Sequence, residues 1–211
     1  MMAPRDTLAT DKPELAMFRH NKQIPKIIEQ NVLIALSHYP ELRNTHIRFV
    51  FKKNINGSVM QAQPVLSSIF KSRNDREYQI NISALFKLNH SAEPIHQLPA
   101  NIMVGWIGHE LGHIMDYENK SKFDLVGFGL SYVLSKKYRR QSELTADTYA
   151  VESGLGQYII ETKRFILDHA GLPQAYKDKI ARIYLSPDEI VEQVRKLEEK
   201  KMKEQKMALG H

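Results

Sequence analysis

The spacing of apolar positions changes twice along the chain. From Ile24 to Ser37 the period is helical, with Ile24, Ile27, Ile28, Val32, Ala35 and Leu36 on one stripe. Pro25 suits a first turn, and Tyr39-Pro40 ends the element. The period then shortens to two. His46-Ile47-Arg48-Phe49-Val50-Phe51 and Glu77-Tyr78-Gln79-Ile80-Asn81-Ile82-Ser83 read as strands, the second with Tyr78, Ile80 and Ile82 on one face. Between them, Asn54-Ile55-Asn56-Gly57 carries the Asn-Gly turn signal of a hairpin, and Ser58 to Val65 is a candidate return strand limited by Pro64. This predicts a small, mostly antiparallel sheet between residues 46 and 83. Asn89 to Leu98 reads as a loop.

From Pro99 onward the pattern is helical again. One helix runs from Pro99 to about Tyr117, followed by helices at roughly 123–137, 140–153, 156–170, 174–184 and 187–206. Gly154 and Gly171 stand where helix-ending glycines are expected. Ser186-Pro187-Asp188-Glu189 is a helix start with Ser186 as N-cap. The fold class is therefore α+β, a mainly helical domain with a small antiparallel or mixed sheet above the Pro99–Tyr117 helix. The simplest partition is a polar lead-in over 1–21, one domain over 22–186, and a charged helix and tail over 187–211.

Composition narrows the chemistry. At 211 residues and 42% hydrophobic the chain can bury one sizeable core. It has no cysteine, which excludes disulfides, thiolate metal sites and cysteine nucleophiles, so any metal falls to His, Asp or Glu. The net charge of +6 is spread rather than gathered in one block, and the last helix mixes both signs, so nucleic acid is not an expected partner. No apolar leader and no run of about 18 apolar residues is visible, so neither secretion nor an integral membrane segment is expected, and a cytoplasmic location is. The apolar run from Phe123 to Leu130 reads either as core or as a movable cover, since Gly127 and Gly129 weaken a helix there.

Within the Pro99–Tyr117 helix, His109-Glu110-Leu111-Gly112-His113 spells H-E-x-x-H. Two histidines one turn apart share a face and can reach one metal ion, and Glu110 can reach a water on it as general base. A catalytic Zn2+ needs a third protein ligand. Glu143 is the best candidate, on a later predicted helix. Asp147, four residues on, lies on the same face and can orient a ligand histidine. Asp116, Glu118, Asp124 and Glu152 compete, but Asp116 and Glu118 sit on the motif helix itself, too near to wrap round the ion. The oxyanion donor stays open among Tyr149, Tyr158, Arg164, His169 and Tyr184.

Gly108-His109-Glu110-Leu111-Gly112-His113-Ile114, followed by Ser142-Glu143-Leu144-Thr145-Ala146-Asp147-Thr148-Tyr149-Ala150 and Gly154, resembles the gluzincin metallopeptidases. The resemblance is strongest to the small soluble minigluzincins and to the catalytic domain of the membrane heat-shock and CAAX-prenyl endopeptidases. It implies a zinc peptidase acting on a peptide or protein substrate, with His109, His113 and Glu143 on the metal, Glu110 as base and Asp147 behind a ligand. It also implies a substrate lying along the edge of the sheet. Tyr78 to Ser83 is the expected edge, with Gln79, Asn81 and Ser83 facing either the cleft or solvent. The chain departs from the membrane members in lacking their spanning helices, and it has Ser186-Pro187 where they often have His-Pro. The rival readings are a silent or latent metal-binding regulator, and a regulatory peptidase cleaving a DNA-bound repressor.

Overall fold

The computed structural model describes residues 13–53, 55, 58–127 and 135–208. Short helix α1 (Pro13–Ala16) leads to β1 (Lys22–Gln23) and helix α2 (Glu29–Ser37). Strands β2 (His46–Lys52), β3 (Met60–Pro64) and β4 (Glu77–Ser83) follow, then a small antiparallel ribbon of β5 (Leu85–Lys87) and β6 (Ala92–Pro94) where a plain loop was expected. Helix α3 (Ala100–Glu118) comes next. Residues 122–127 belong to α4, and α5 (Lys136–Glu152), α6 (Gly156–Asp168), α7 (Gln174–Ile183) and α8 (Pro187–Ala208) complete the chain. The fold is α+β and mainly helical. No described helix is long and apolar enough to cross a membrane.

The sheet is mixed, with order β1-β2-β4-β3. β1 and β4 both run parallel to β2, and only β3 runs antiparallel to β4. The expected β2–β3 hairpin does not form, because β4 lies between the two; Asn54, Asn56 and Gly57 of its proposed turn fall outside the described residues. β4 takes the central place because its side chains suit burial on both sides. Tyr78, Ile80 and Ile82 are fully buried, and Asn81 and Ser83 are nearly so. β3 takes the edge, where Gln61 and Gln63 are exposed and Pro64, which has no N–H, costs no ladder bond.

Helix α3 is the axis of the molecule. Every residue from Ile102 to Ile114 is buried, as expected of a helix enclosed on all sides. It touches α2, α5, α6 and β3. Two glycines let its neighbours come close. A Cβ on Gly112 would stand 2.4 Å from the carbonyl oxygen of Ala146 on α5, and one on Gly105 would stand 2.5 Å from that of Tyr158 on α6. Tyr39, at the end of α2, is fully buried and donates a hydrogen bond of 2.7 Å to the Gly108 carbonyl, fixing α3 one residue before His109.

Other ends follow local rules. Ser186 and Glu189 cap α8 reciprocally, the Glu189 N–H donating to Ser186 Oγ and the Ser186 N–H to Glu189 Oε2. Gly154 has φ +83 just after α5, whereas α6 stops at Asp168, ahead of Gly171. Helix α5 begins at Lys136, earlier than the spacing predicts, with Ser135 Oγ accepting the Tyr138 N–H.

Gly112→Ala should push α5 away from α3, because the obstructing atom is backbone. Its thermal midpoint should fall, corresponding to a loss of about 1–3 kcal/mol. An unchanged midpoint would mean that the α3–α5 approach is not tight.

Candidate metal centre

The α3–α5 approach brings together two ends of the sequence motif. His109 and His113 come from the buried face of α3, with ring centroids 4.8 Å apart. Glu143 enters from α5. Its Oε2 lies 3.0 Å from His109 Nε2 and 3.3 Å from His113 Nε2. One ligand atom from each of the three residues lies within 4.8 Å of the others, and all three residues are buried. Among the described residues this is the one group of its kind. It can hold a metal ion, and two imidazoles with one carboxylate suit zinc, leaving a coordination position open.

Asp147, one turn beyond Glu143, is fully buried and holds His109 from behind. Its Oδ1 lies 2.9 Å from His109 Nδ1, which makes that nitrogen the donor and turns Nε2 toward Glu143. Its Oδ2 accepts from Lys163 Nζ at 2.8 Å and from the Leu185 N–H at 3.3 Å. Ser142 Oγ lies 3.5 Å from His113 Nδ1, at the limit of a hydrogen bond. Lys163 is itself buried, on α6, and its Nζ lies 4.6 Å from the centre of the Tyr184 ring. Nothing in the motif announces Lys163. Its signal is a lysine on the apolar stripe of Ile159, Lys163 and Ile166, where a charge requires a partner.

Glu110 points the other way along the helix, toward the sheet. Its Oε2 accepts the Ala62 N–H of β3 at 2.6 Å. Ala62 is free to donate because β3 and β4 bond through the alternate residues, as in Ser83 N–H to Val59 O and Val65 N–H to Glu77 O. On the same outward edge, Tyr117 Oη donates to Ala62 O at 3.3 Å, and Ser58 Oγ bonds to Met60 O. Burial pushes the Glu110 carboxyl above its ordinary value, reinforced by Glu143 and opposed by His113 and His109. Burial would likewise raise Glu143, yet the imidazoles of His113 and His109 hold it well below the usual carboxylate range. Asp147 is also lowered, against the effect of burial, by Lys163 and His109. Burial disfavours a charged His109, but the bonds to Asp147 and Glu143 prevail and raise it to about 10.

A cleft of ≈ 420 Å³ opens over Glu110, His113 and Glu143. One wall is β3, from Met60 to Pro64; the other carries Arg139 of α5, Lys179 and Ile183 of α7, and Tyr184. The expectation that Tyr78 to Ser83 forms the substrate edge is therefore corrected. β4 is paired on both sides, and none of Gln79, Asn81 and Ser83 lines this cleft. Asn81 and Ser83 are buried and Gln79 is half-buried. Gln79 Nε2 donates to Asn81 Oδ1, Ser83 Oγ donates to Leu85 O, and Ser83 lines a separate cavity against Tyr176.

Of the residues weighed as oxyanion donors, Tyr184 lines the cleft, its ring centre 5.4 Å from that of His109. Tyr149 accepts from Asn119, Tyr158 packs against His38, and His169 packs against Phe86 and Phe165. Asp116 and Asp124 are engaged by Lys120 and Ser121, away from the histidines. In the apolar run after α3, Leu125 is buried and lines the cleft while Phe123 and Val126 are exposed; Phe128 to Leu130 lie outside the described residues.

Metal analysis of protein purified without added zinc should find about one ion per chain. Glu143→Ala should lose it; full occupancy in that variant would remove Glu143 from the ligand set.

The metal-free protein has a predictable pH response. His109 is raised from 6.5 to about 10, so its contribution to stability is complete below pH 6.5 and is lost as pH rises toward 10. Glu143 and Asp147 are lowered, so theirs is complete above pH 4.5 and 3.8 and is lost on acidification below those values. Thermal midpoints after chelation should peak between pH 4.5 and 6.5 and decline toward pH 10. A midpoint still rising across pH 7–9 would contradict the His109 assignment.

Comparison with family models, with curated proteins and with solved structures returned no match for this chain.

Proposed function

We propose that the protein is a zinc-dependent endopeptidase of the gluzincin kind suggested by its motif. The observation that carries this reading is the placement of Glu110. It is buried beside the His109–His113–Glu143 group without belonging to it, and it faces the cleft with a carboxyl whose affinity for a proton is raised. A group that only anchored a structural ion would need no such neighbour.

When bound, zinc supplies Lewis acidity toward a scissile carbonyl and toward a water molecule. His109, His113 and Glu143 would hold it, and Asp147 keeps the His109 Nδ1 proton so that Nε2 stays available on the side of Glu143. Glu110 works with one oxygen. Ala62 N–H holds Oε2, which leaves Oε1 to take a proton from the attacking water and return it to the leaving amine. Burial favours the protonated intermediate state of this carboxyl. Tyr184 is the cleft residue suited to donate a hydrogen bond to the oxyanion. The substrate lies between β3 and the α5–α7 wall.

Glu110→Gln should retain zinc and the fold while peptide hydrolysis falls by about 10²–10⁴-fold. Ala62→Pro separates positioning from chemistry. Its missing N–H faces away from β4, so the sheet should persist and zinc should stay, with kcat falling more than KM rises. Undiminished hydrolysis in Glu110→Gln would overturn the peptidase reading.

A further inference from the structure

The cleft has an extension that the proposed chemistry does not use. A second cavity of ≈ 230 Å³ adjoins it, and Ser58 lines both. The same two elements wall both spaces. β3 bounds the cleft from Met60 to Pro64, and the residues just before it, Ser58 and Val59, bound the cavity. α7 bounds the cleft with Lys179 and Ile183 and the cavity with Tyr176, one turn earlier; Leu172 and Pro173 lead into it. Tyr176 links the two spaces, because Glu110 and Glu143 are near enough for their charges to act on its hydroxyl. The cavity therefore continues the cleft toward the start of both elements.

Its lining is mainly apolar. Phe86, Leu172 and Val59 are buried, and Leu85 and Pro173 join them. The two serines are already engaged: Ser83 Oγ donates to Leu85 O at 2.7 Å, and Ser58 Oγ bonds to Met60 O. Lys87 also lines the cavity but is an exposed residue. Water finds few hydrogen bonds in such a space, whereas an apolar side chain removes its own surface and that of the lining from water. At ≈ 230 Å³ the cavity is smaller than the about 300–1,000 Å³ of pockets that enclose a whole small ligand, and it suits one large side chain.

A side chain is also what the cleft needs in order to hold a peptide. Both outward groups of Ala62 are bonded, to Glu110 and Tyr117, and the Met60 carbonyl is bonded by Ser58. Pro64 has no N–H to offer. An extended peptide beside β3 thus finds few of the strand-to-strand bonds that usually supply affinity without regard to sequence.

We propose that this cavity is a specificity pocket for one large apolar side chain, aromatic or branched aliphatic, of the peptide lying in the cleft, a proposal that rests on the peptidase reading above. Ser58 and Val59 stand four and three residues before Ala62, whose N–H holds Glu110. At roughly 3.3 Å per residue the pocket lies about 10–13 Å along the strand from the base. It therefore takes a residue three or four positions from the cleaved bond, not one flanking it. Adjacent side chains of an extended peptide point to opposite faces, so only one of those two positions enters.

The test scans one Phe, Trp or Ala through each position of an internally quenched peptide of small polar residues. With zinc-loaded protein, one position three or four residues from the cut should favour Phe over Ala by about 10–100-fold in kcat/KM. Leu85→Trp, which fills the cavity, should remove that preference, and Tyr176→Ala, which enlarges it, should shift it toward Trp. The ratio is taken within one protein, so a general loss of activity does not affect it. A ratio unchanged in both variants, or a preference confined to the residues flanking the cut, overturns the pocket. Binding of the same peptides to Glu110→Gln, followed by fluorescence anisotropy, needs no turnover and so separates the two readings. Tighter binding of the Phe peptide, lost when Leu85→Trp is added, without any hydrolysis by the wild type would keep the pocket and discard the peptidase. Equal binding of Phe and Ala peptides overturns the pocket whether or not they are cleaved, and cleavage would then leave the peptidase standing.

Discussion

One fully buried carboxylate ties the helical half of this protein together. Asp147 sits on α5, yet its partners come from α3 (His109), from α6 (Lys163) and from the turn between α7 and α8 (Leu185). A buried charge is tolerated only when paired and hydrogen-bonded, and removing one member of such a set costs about 3–5 kcal/mol because it leaves the others uncompensated. The same carboxylate fixes the tautomer of His109. Packing of the helical half and the aim of the His109 imidazole therefore depend on one group, and a change in the α7–α8 turn reaches the candidate metal group through a single side chain.

The close contact between α3 and α5 makes this possible. Glu143 and Asp147 can lie against His109 because Gly112 presents no side chain to the Ala146 carbonyl. Glycine is a poor helix former, so its place in the middle of the most buried helix reflects the distance between backbones rather than local propensity. Tyr39 acts from the other side, fixing the helix through the Gly108 carbonyl.

The helices and the three motif residues were legible because their signals are local. The 3.6-residue period, the Ser186–Glu189 cap and Gly154 act over a few positions, and so does the spacing of His109 and His113. Glu143 and Asp147 were legible for a related reason: four residues apart on one helix, they act as a unit. Strand order was not, because it depends on which strand can be buried on both sides. The Asn-Gly signal favoured pairing β2 with β3, but Tyr78, Ile80 and Ile82 drew β4 into the centre. Pro64, read as a limit on the return strand, and the polar Gln61 and Gln63 were the signs of an edge. Arg139 and Lys179 look like ordinary surface charges until α5 and α7 place them on one wall, and Lys163 required knowing which face of α6 is buried.

The bonds made by the outer edge of β3 have a consequence for the behaviour of the protein in concentrated solution. A bare sheet edge is a template on which other extended chains can add, the common first step of aggregation. Here Glu110 and Tyr117 occupy Ala62, Ser58 occupies the Met60 carbonyl, and Pro64 offers no N–H. The side chain proposed as base thus also shields the strand beside it. Shortening it would expose a backbone N–H on the outer side of β3, so the proposed chemistry and colloidal stability are coupled through a single hydrogen bond.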